Sequence, residues 1–192
     1  DGRLYCAPFK SRQVLVVDPA AQKVSFISAE GGALDGGEKY AGIAAGPDGR
    51  FYCAPFKSRR VLVIDPDKQA ISFIDGAGAE NIKYSGIAAG SDGRLYCAPF
   101  KSSSVLVIDP ERQALSFING AGSENRKYSG IAAGIDGRLY CAPFNSSRVL
   151  VIDPARQALS FIEGAGLGTF KYAGITLGAD KRLYCAPWNS NR

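Results

Sequence analysis

The 192-residue sequence contains no histidine, no methionine and only one tryptophan. Without an imidazole the usual general base is missing, and with it the Ser-His-Asp and Cys-His arrangements and the zinc sites built on His. No apolar run approaches the roughly 18 residues needed to cross a bilayer, so no membrane is expected. The chain opens on Asp1-Gly2-Arg3 and not on a charged-then-apolar leader. The missing initiator Met, with repeats interrupted at both ends, points to a segment of a longer protein. Helical periodicity is absent over any ten-residue stretch. Cysteines are few and odd in number, at Cys6, Cys53, Cys97, Cys141 and Cys185, which argues against a closed disulfide framework. They read as free, buried thiols that react slowly, with a lean towards an intracellular, reducing compartment. No cofactor and no metal is implied.

What the chain does contain is repetition. Near-copies of Asp92-Gly93-Arg94-Leu95-Tyr96-Cys97-Ala98-Pro99-Phe100 begin at Asp1, Asp48, Asp136 and Asp180, at intervals of 47, 44, 44 and 44 residues. Such a period marks arrays in which each unit buries its faces against its neighbours. Residues 1–192 read as one array with repeats starting at 1, 48, 92, 136 and 180, the last partial.

Within one unit, Lys83-Tyr84-Ser85-Gly86-Ile87-Ala88-Ala89-Gly90 is a strand of small residues suited to a tight place. Asp92-Gly93 is a hairpin signal, since Gly accepts the positive φ of a tight turn. Arg94 to Phe100 alternates Leu95 and Cys97 with Tyr96 and Ala98, apolar on both faces. Val105-Leu106-Val107-Ile108 is continuously apolar, as in a strand packed on both sides. Asp109-Pro110 ends it, and Ala114-Leu115-Ser116-Phe117-Ile118 suits an outer edge. Asn119-Gly120-Ala121-Gly122 then opens a flexible loop. Four short strands per unit predict an all-β fold, a β-propeller of about 44-residue four-stranded blades. A stacked solenoid fits less well, because its coils are shorter and lack two hairpin turns. Seventeen strands are one more than four blades need. An arc of a larger, six- to eight-bladed propeller explains the surplus at Arg182 to Trp188 more simply than a compact four-bladed ring, and its open sheet edges are expected to self-associate.

Pro47-Asp48-Gly49-Arg50-Phe51-Tyr52-Cys53-Ala54, followed by Ser58 and Val61-Leu62-Val63-Ile64-Asp65, resembles the YVTN-type β-propeller repeat, and more loosely NHL and quinoprotein-like propellers. Tyr-Cys-Ala-Pro stands where that family usually reads Tyr-Val-Thr-Asn or Tyr-Val-Ala-Asn. The resemblance implies a toroid of sheets used mostly for binding and sometimes as an enzyme scaffold.

The repeated carboxylates Asp65, Asp109, Asp153 and Asp48, Asp92, Asp136 sit beside Pro or Gly, where turn capping is the first reading and a calcium ligand the second. The repeated tyrosines read as wedges between sheets before they read as stacking platforms for bases. In a four-stranded meander alternate connections share a face. The two Asp turns share one and hardly vary, while the other two connections share the opposite face and do vary. That variable face holds thirteen Lys and Arg against seven Asp and Glu, counting Lys39, Lys83, Lys127 and Lys171, and it favours anionic partners.

The sequence therefore predicts a non-catalytic binding scaffold for an acidic protein surface or other polyanion, through Lys10, Arg12, Lys57, Arg59, Arg60, Lys101 and Arg148, with Lys57, Arg59 and Arg60 as the strongest cluster. Nucleic acid is not expected, because the cations are interleaved with acids. The alternative is a lactonase-like hydrolase with its site at the central channel.

Overall fold

The computed structural model describes residues 2–29, 31, 34 and 36–189. The described residues form seventeen strands in five antiparallel sheets. The first sheet is β1 (Leu4–Cys6), β2 (Gln13–Asp18) and β3 (Lys23–Ser28). Three four-stranded sheets follow: β4 (Tyr40–Ala45) to β7 (Ala70–Asp75), β8 (Tyr84–Ala89) to β11 (Ala114–Asn119), and β12 (Tyr128–Ala133) to β15 (Ala158–Ile162). Their middle strands are β5 (Phe51–Pro55) and β6 (Arg60–Asp65), β9 (Leu95–Pro99) and β10 (Ser104–Asp109), and β13 (Leu139–Pro143) and β14 (Val149–Asp153). The last sheet is β16 (Tyr172–Leu177) paired with β17 (Leu183–Pro187). Because β16 pairs with β17 and not with β1, no strand exchange closes a four-sheet ring. Among the described residues no helix is long and apolar enough to cross a membrane.

Each strand lies where its composition sends it. Val105, Leu106, Val107 and Ile108 in β10 are buried throughout, flanked by β9 and by the outer, half-exposed β11. The two faces of β9 enter different cores. Leu95 and Cys97 pack with Tyr52 and Ala54 of the preceding sheet, whereas Tyr96 and Ala98 pack with Leu139 and Cys141 of the next. The core is thus a series of apolar layers between successive sheets, and apolar burial is what joins them.

The small-residue strands lie at the near side of each sheet and run against one another from sheet to sheet. A Cβ on Gly86 would stand 3.3 Å from the Cα of Gly130 and from the backbone N of Ile131. At that distance a side chain would fit only if the neighbouring backbone gave way by a few tenths of an ångström. The Asp-Gly turn is equally explicit, with Gly93 at φ 79° and Gly90 N–H donating to Arg94 C=O across the hairpin.

The repeated carboxylates are turn caps. Asp92 Oδ1 accepts the Arg94 N–H and Oδ2 accepts the Tyr96 hydroxyl. Asp109 Oδ1 accepts the Arg112 N–H. Gln157, in the next sheet, donates to the Tyr96 hydroxyl, and Gln113 does the same for Tyr52. The invariant face is therefore a stitched network of side chains between neighbouring units.

The thiols divide. Cys53, Cys97 and Cys141 are buried, but Cys6 is exposed and Cys185 half-buried. Slow reaction of all five, as expected from the strand pattern, is corrected to three, because Cys6 and Cys185 lie in the first and last sheets and are covered on fewer sides.

Candidate functional site

On the variable face one lysine per unit organises the backbone. The N–H of Lys83 donates to the carbonyl of Phe56 at 2.8 Å, and its own carbonyl accepts the N–H of Phe100 at 2.8 Å. Lys127 repeats this between Phe100 and Phe144, Lys39 between Phe9 and Phe56, and Lys171 between Phe144 and Trp188. The result is a hoop of peptide hydrogen bonds that crosses from sheet to sheet. The carbonyls of Lys39, Lys83 and Lys127 also receive the next two N–H groups of the following loop, such as Lys101 and Ser102 on Lys83, whereas Asn189 donates its N–H to Phe170 C=O.

The same lysines are interior. Lys127 is fully buried, and Lys39, Lys83 and Lys171 nearly so. A buried ammonium is costly unless hydrogen-bonded, and here backbone carbonyls surround it. Lys83 Nζ donates to Ser58 C=O at 2.8 Å and Glu80 C=O at 2.7 Å. Lys127 Nζ donates to Ser102 C=O, Glu124 C=O and Lys101 C=O. Burial lowers Lys83 to about 8 and pulls Lys127 and Lys171 downward as well. The Gly-Ala-Gly loops wrap these stems. Gly78 faces Lys83 Cδ, and the buried Ala77 and Ala121 donate their N–H groups to Arg59 and Ser103 carbonyls. The expectation of a flexible loop after β11 is corrected accordingly: hydrogen bonds pin it to its own sheet.

This changes the charge of the face. Four of its thirteen cations are inside, and Arg192, Glu30 and Asp35 lie outside the described residues. Eight surface cations then oppose five acids among the described residues. The basic excess is smaller than the sequence count because a Lys in a rim loop turned its head inward.

The expected binding residues are spread along the rim. Lys57 and Lys10 converge on Glu38, at 2.8 and 3.9 Å, and the Lys57 hydrogen bond holds the Glu38 carboxyl below its ordinary range. Arg60 lies over the Phe73 ring at 3.9 Å. Arg148 lies over Phe161 at 4.0 Å and pairs with Glu163. Arg59 and Lys101 are exposed, without a carboxylate partner among the described residues, and Arg12 is exposed before β2. Of Lys57, Arg59 and Arg60, the first is thus engaged by Glu38 and the last by the Phe73 ring, and Arg59 alone of the three extends without a carboxylate partner among the described residues.

The hoop also builds something the sequence reading passed over. Phe9, Phe56, Phe100 and Phe144 stand in a row, with successive ring centroids 5.6, 5.9 and 5.6 Å apart, and Phe170 meets Phe144 edge-on at 5.1 Å. They line an open cleft of about 270 Å³ together with Glu38, Ile82 and Arg126. The signal was present, since each Tyr-Cys-Ala-Pro is followed by an aromatic residue, but strand patterning assigns no task to the residue that follows a strand.

No family model and no curated protein matches this sequence. Solved structures do. Virginiamycin B lyase from Staphylococcus aureus superposes with a TM-score of 0.81 at 16% identity, over 100% of this chain and 61% of the lyase. The chain folds as an arc of a β-propeller. A streptogramin B lyase gives a TM-score of 0.68 at 16% identity, over 100% of this chain and 74% of that one. The extracellular domain of a one-component system from Bacteroides thetaiotaomicron gives 0.72 at 10% identity, over 97% and 25%. This propeller arc therefore spans about three fifths of the first lyase, and at these identities the likeness concerns the fold.

Proposed function

We propose that the propeller arc is a non-catalytic binding scaffold whose ligand surface is the loop face, with the phenylalanine row as its contact floor. The observation that supports this most is the row itself: aromatic side chains from successive units held half-exposed in line by a backbone hoop. Apolar surface kept in water at the centre of a charged rim is the usual composition of a docking site. The partner is an acidic protein segment that lays apolar side chains on the rings and carboxylates towards Arg59, Lys101 and Arg126. Nucleic acid is disfavoured by Glu38, Glu80, Glu124 and Glu163 on the same rim. The repeat is assigned to the YVTN type on its strand pattern from Phe51 to Asp65.

The alternative, a lactonase-like hydrolase, finds less support. Glu38 is committed to Lys57, and among the described residues no three His, Cys, Asp or Glu groups converge as metal ligands. A catalytically inactive histidine-to-alanine variant of the staphylococcal lyase has been solved with quinupristin, whereas this chain has no histidine.

The test compares partners retained from an extract at low salt by the unaltered chain, by Arg59→Glu with Lys101→Glu, by Phe56→Ser, and by Arg112→Glu on the opposite face. The loop-face variants should lose partners that the Arg112 variant keeps, and rising salt should weaken retention as the Debye length falls from about 10 Å at 0.1 M to about 3 Å at 1 M. Identical retention by all four would defeat the proposal.

A further inference from the structure

The residue immediately before each buried lysine holds the same place in the unit but changes completely in chemistry. It is Glu38, Ile82, Arg126 and Phe170 in successive units, and all four line the aromatic cleft. Around it the lysine and the phenylalanine are constant. Ile82, Arg126 and Phe170 are held at φ 53°, 54° and 56°. The left-handed region is costly for any side chain with a Cβ, and most of all for a β-branched one such as Ile. In that conformation, just before the hydrogen-bonded lysine, three unrelated side chains are carried to the same place beside the rings.

We infer that these four positions determine what the cleft accepts, and that the present set selects an apolar group bearing a single anion. The inference rests on the phenylalanine row being the ligand surface. Glu38 contributes no free charge, because Lys57 and Lys10 both face it. Ile82 and the rings make the middle apolar. Arg126 is exposed and has no carboxylate partner among the described residues, and its guanidinium lies 5.7 Å from the Phe170 ring centroid. Arg126 is the one cation among the residues that line this cleft, and at one end of an apolar shelf it is complementary to a carboxylate, sulfonate or phosphate attached to an aromatic or aliphatic body. A guanidinium presents paired donors that suit such an oxyanion. The volume of about 270 Å³ holds one such group, a side chain or chain terminus of the partner, and not a folded element.

Two dyes that share a body and differ in charge test this: 8-anilinonaphthalene-1-sulfonate and its uncharged parent, N-phenyl-1-naphthylamine. Both should bind saturably with enhanced fluorescence. Arg126→Gln should weaken the sulfonate by about tenfold or more, since about tenfold is the low end of what one charge-assisted hydrogen bond contributes, and leave the uncharged dye within about twofold. Ile82→Glu should weaken both dyes, the sulfonate more. Phe100→Ser should weaken both equally, with urea midpoints recorded for every variant to separate lost binding from lost folding. If Arg126→Gln leaves sulfonate affinity unchanged while Phe100→Ser and Ile82→Glu weaken both dyes, the selection of an anion is overturned and the ligand surface stands. If neither Phe100→Ser nor Ile82→Glu affects either dye, the ligand surface itself is wrong.

Discussion

Replacing Lys83 by Met keeps the apolar stem and deletes the ammonium from an interior site. Lys83 is 2% exposed, and its Nζ bridges Ser58 C=O at 2.8 Å in one sheet to Glu80 C=O at 2.7 Å in the loop that leaves it. The variant strands both carbonyls. Each unpaired acceptor costs about 1–3 kcal/mol, and relief of the buried charge offsets part of that, leaving a net loss of about 3 kcal/mol. At about 2–4 °C per kcal/mol for a chain of this length the melting temperature should fall by roughly 6–12 °C, and the urea midpoint should fall with its slope unchanged. The pH dependence has a definite sign. Burial lowers Lys83 from 10.5 to about 8, so between those values the unfolded chain binds more protons than the folded one. Wild-type stability should therefore gain up to about 1.4 kcal/mol per pH unit from this residue as pH rises through that window, and nothing below it. The Met variant lacks the gain, so the gap between the two proteins should widen from pH 8 to 10.5. Taking the difference cancels the thiols and phenols that titrate in the same range. An unchanged urea midpoint at pH 7 would refute the carbonyl bridge, and parallel pH profiles would refute the desolvated ammonium.

The packed small-residue strands make a paired prediction. Gly130→Ala puts a methyl 3.1 Å from Gly174 Cα and 3.2 Å from Ile175 N and should cost about 1–3 kcal/mol, while Gly174→Ala meets nothing within 4 Å and should stay within about 0.5 kcal/mol; equal urea midpoints for the two variants would contradict the close approach. Thiol titration in native buffer should show Cys6 first, Cys185 more slowly, and Cys53, Cys97 and Cys141 only after denaturant, in line with their burial. Five fast groups would mean that the layers between sheets are open.

The all-β repeat was legible in residues whose message is local. Asp92-Gly93 specifies a turn, Val105 to Ile108 specifies a strand without a wet face, and Gly86 specifies a backbone that must come close to another. Each states its own conformation or burial, and a period of 44 residues multiplies the statement until a propeller satisfies it better than a stacked solenoid. The candidate site was legible only in part. Lys83 and Lys127 read as rim cations, and the charge count of the rim suffered for it. The ammonium turns inward only when a distant acceptor joins the local carbonyls of Glu80 and Glu124, namely Ser58 C=O, 25 residues before Lys83, and Ser102 C=O, 25 residues before Lys127. Lys57 likewise read as a free cation until folding placed Glu38 against it. The phenylalanine row is the extreme case. One Phe after a strand says little, and a cleft exists only when successive sheets bring Phe56 to within 6 Å of Phe100 and Phe100 to within 6 Å of Phe144. By itself the sequence determined turns, strands and the faces that must be covered, since those follow from dihedral preference and hydrophobic period. Which charges remain in water, and which rings meet, was decided only by tertiary structure, because desolvation and contact depend on neighbours that the chain supplies from another repeat.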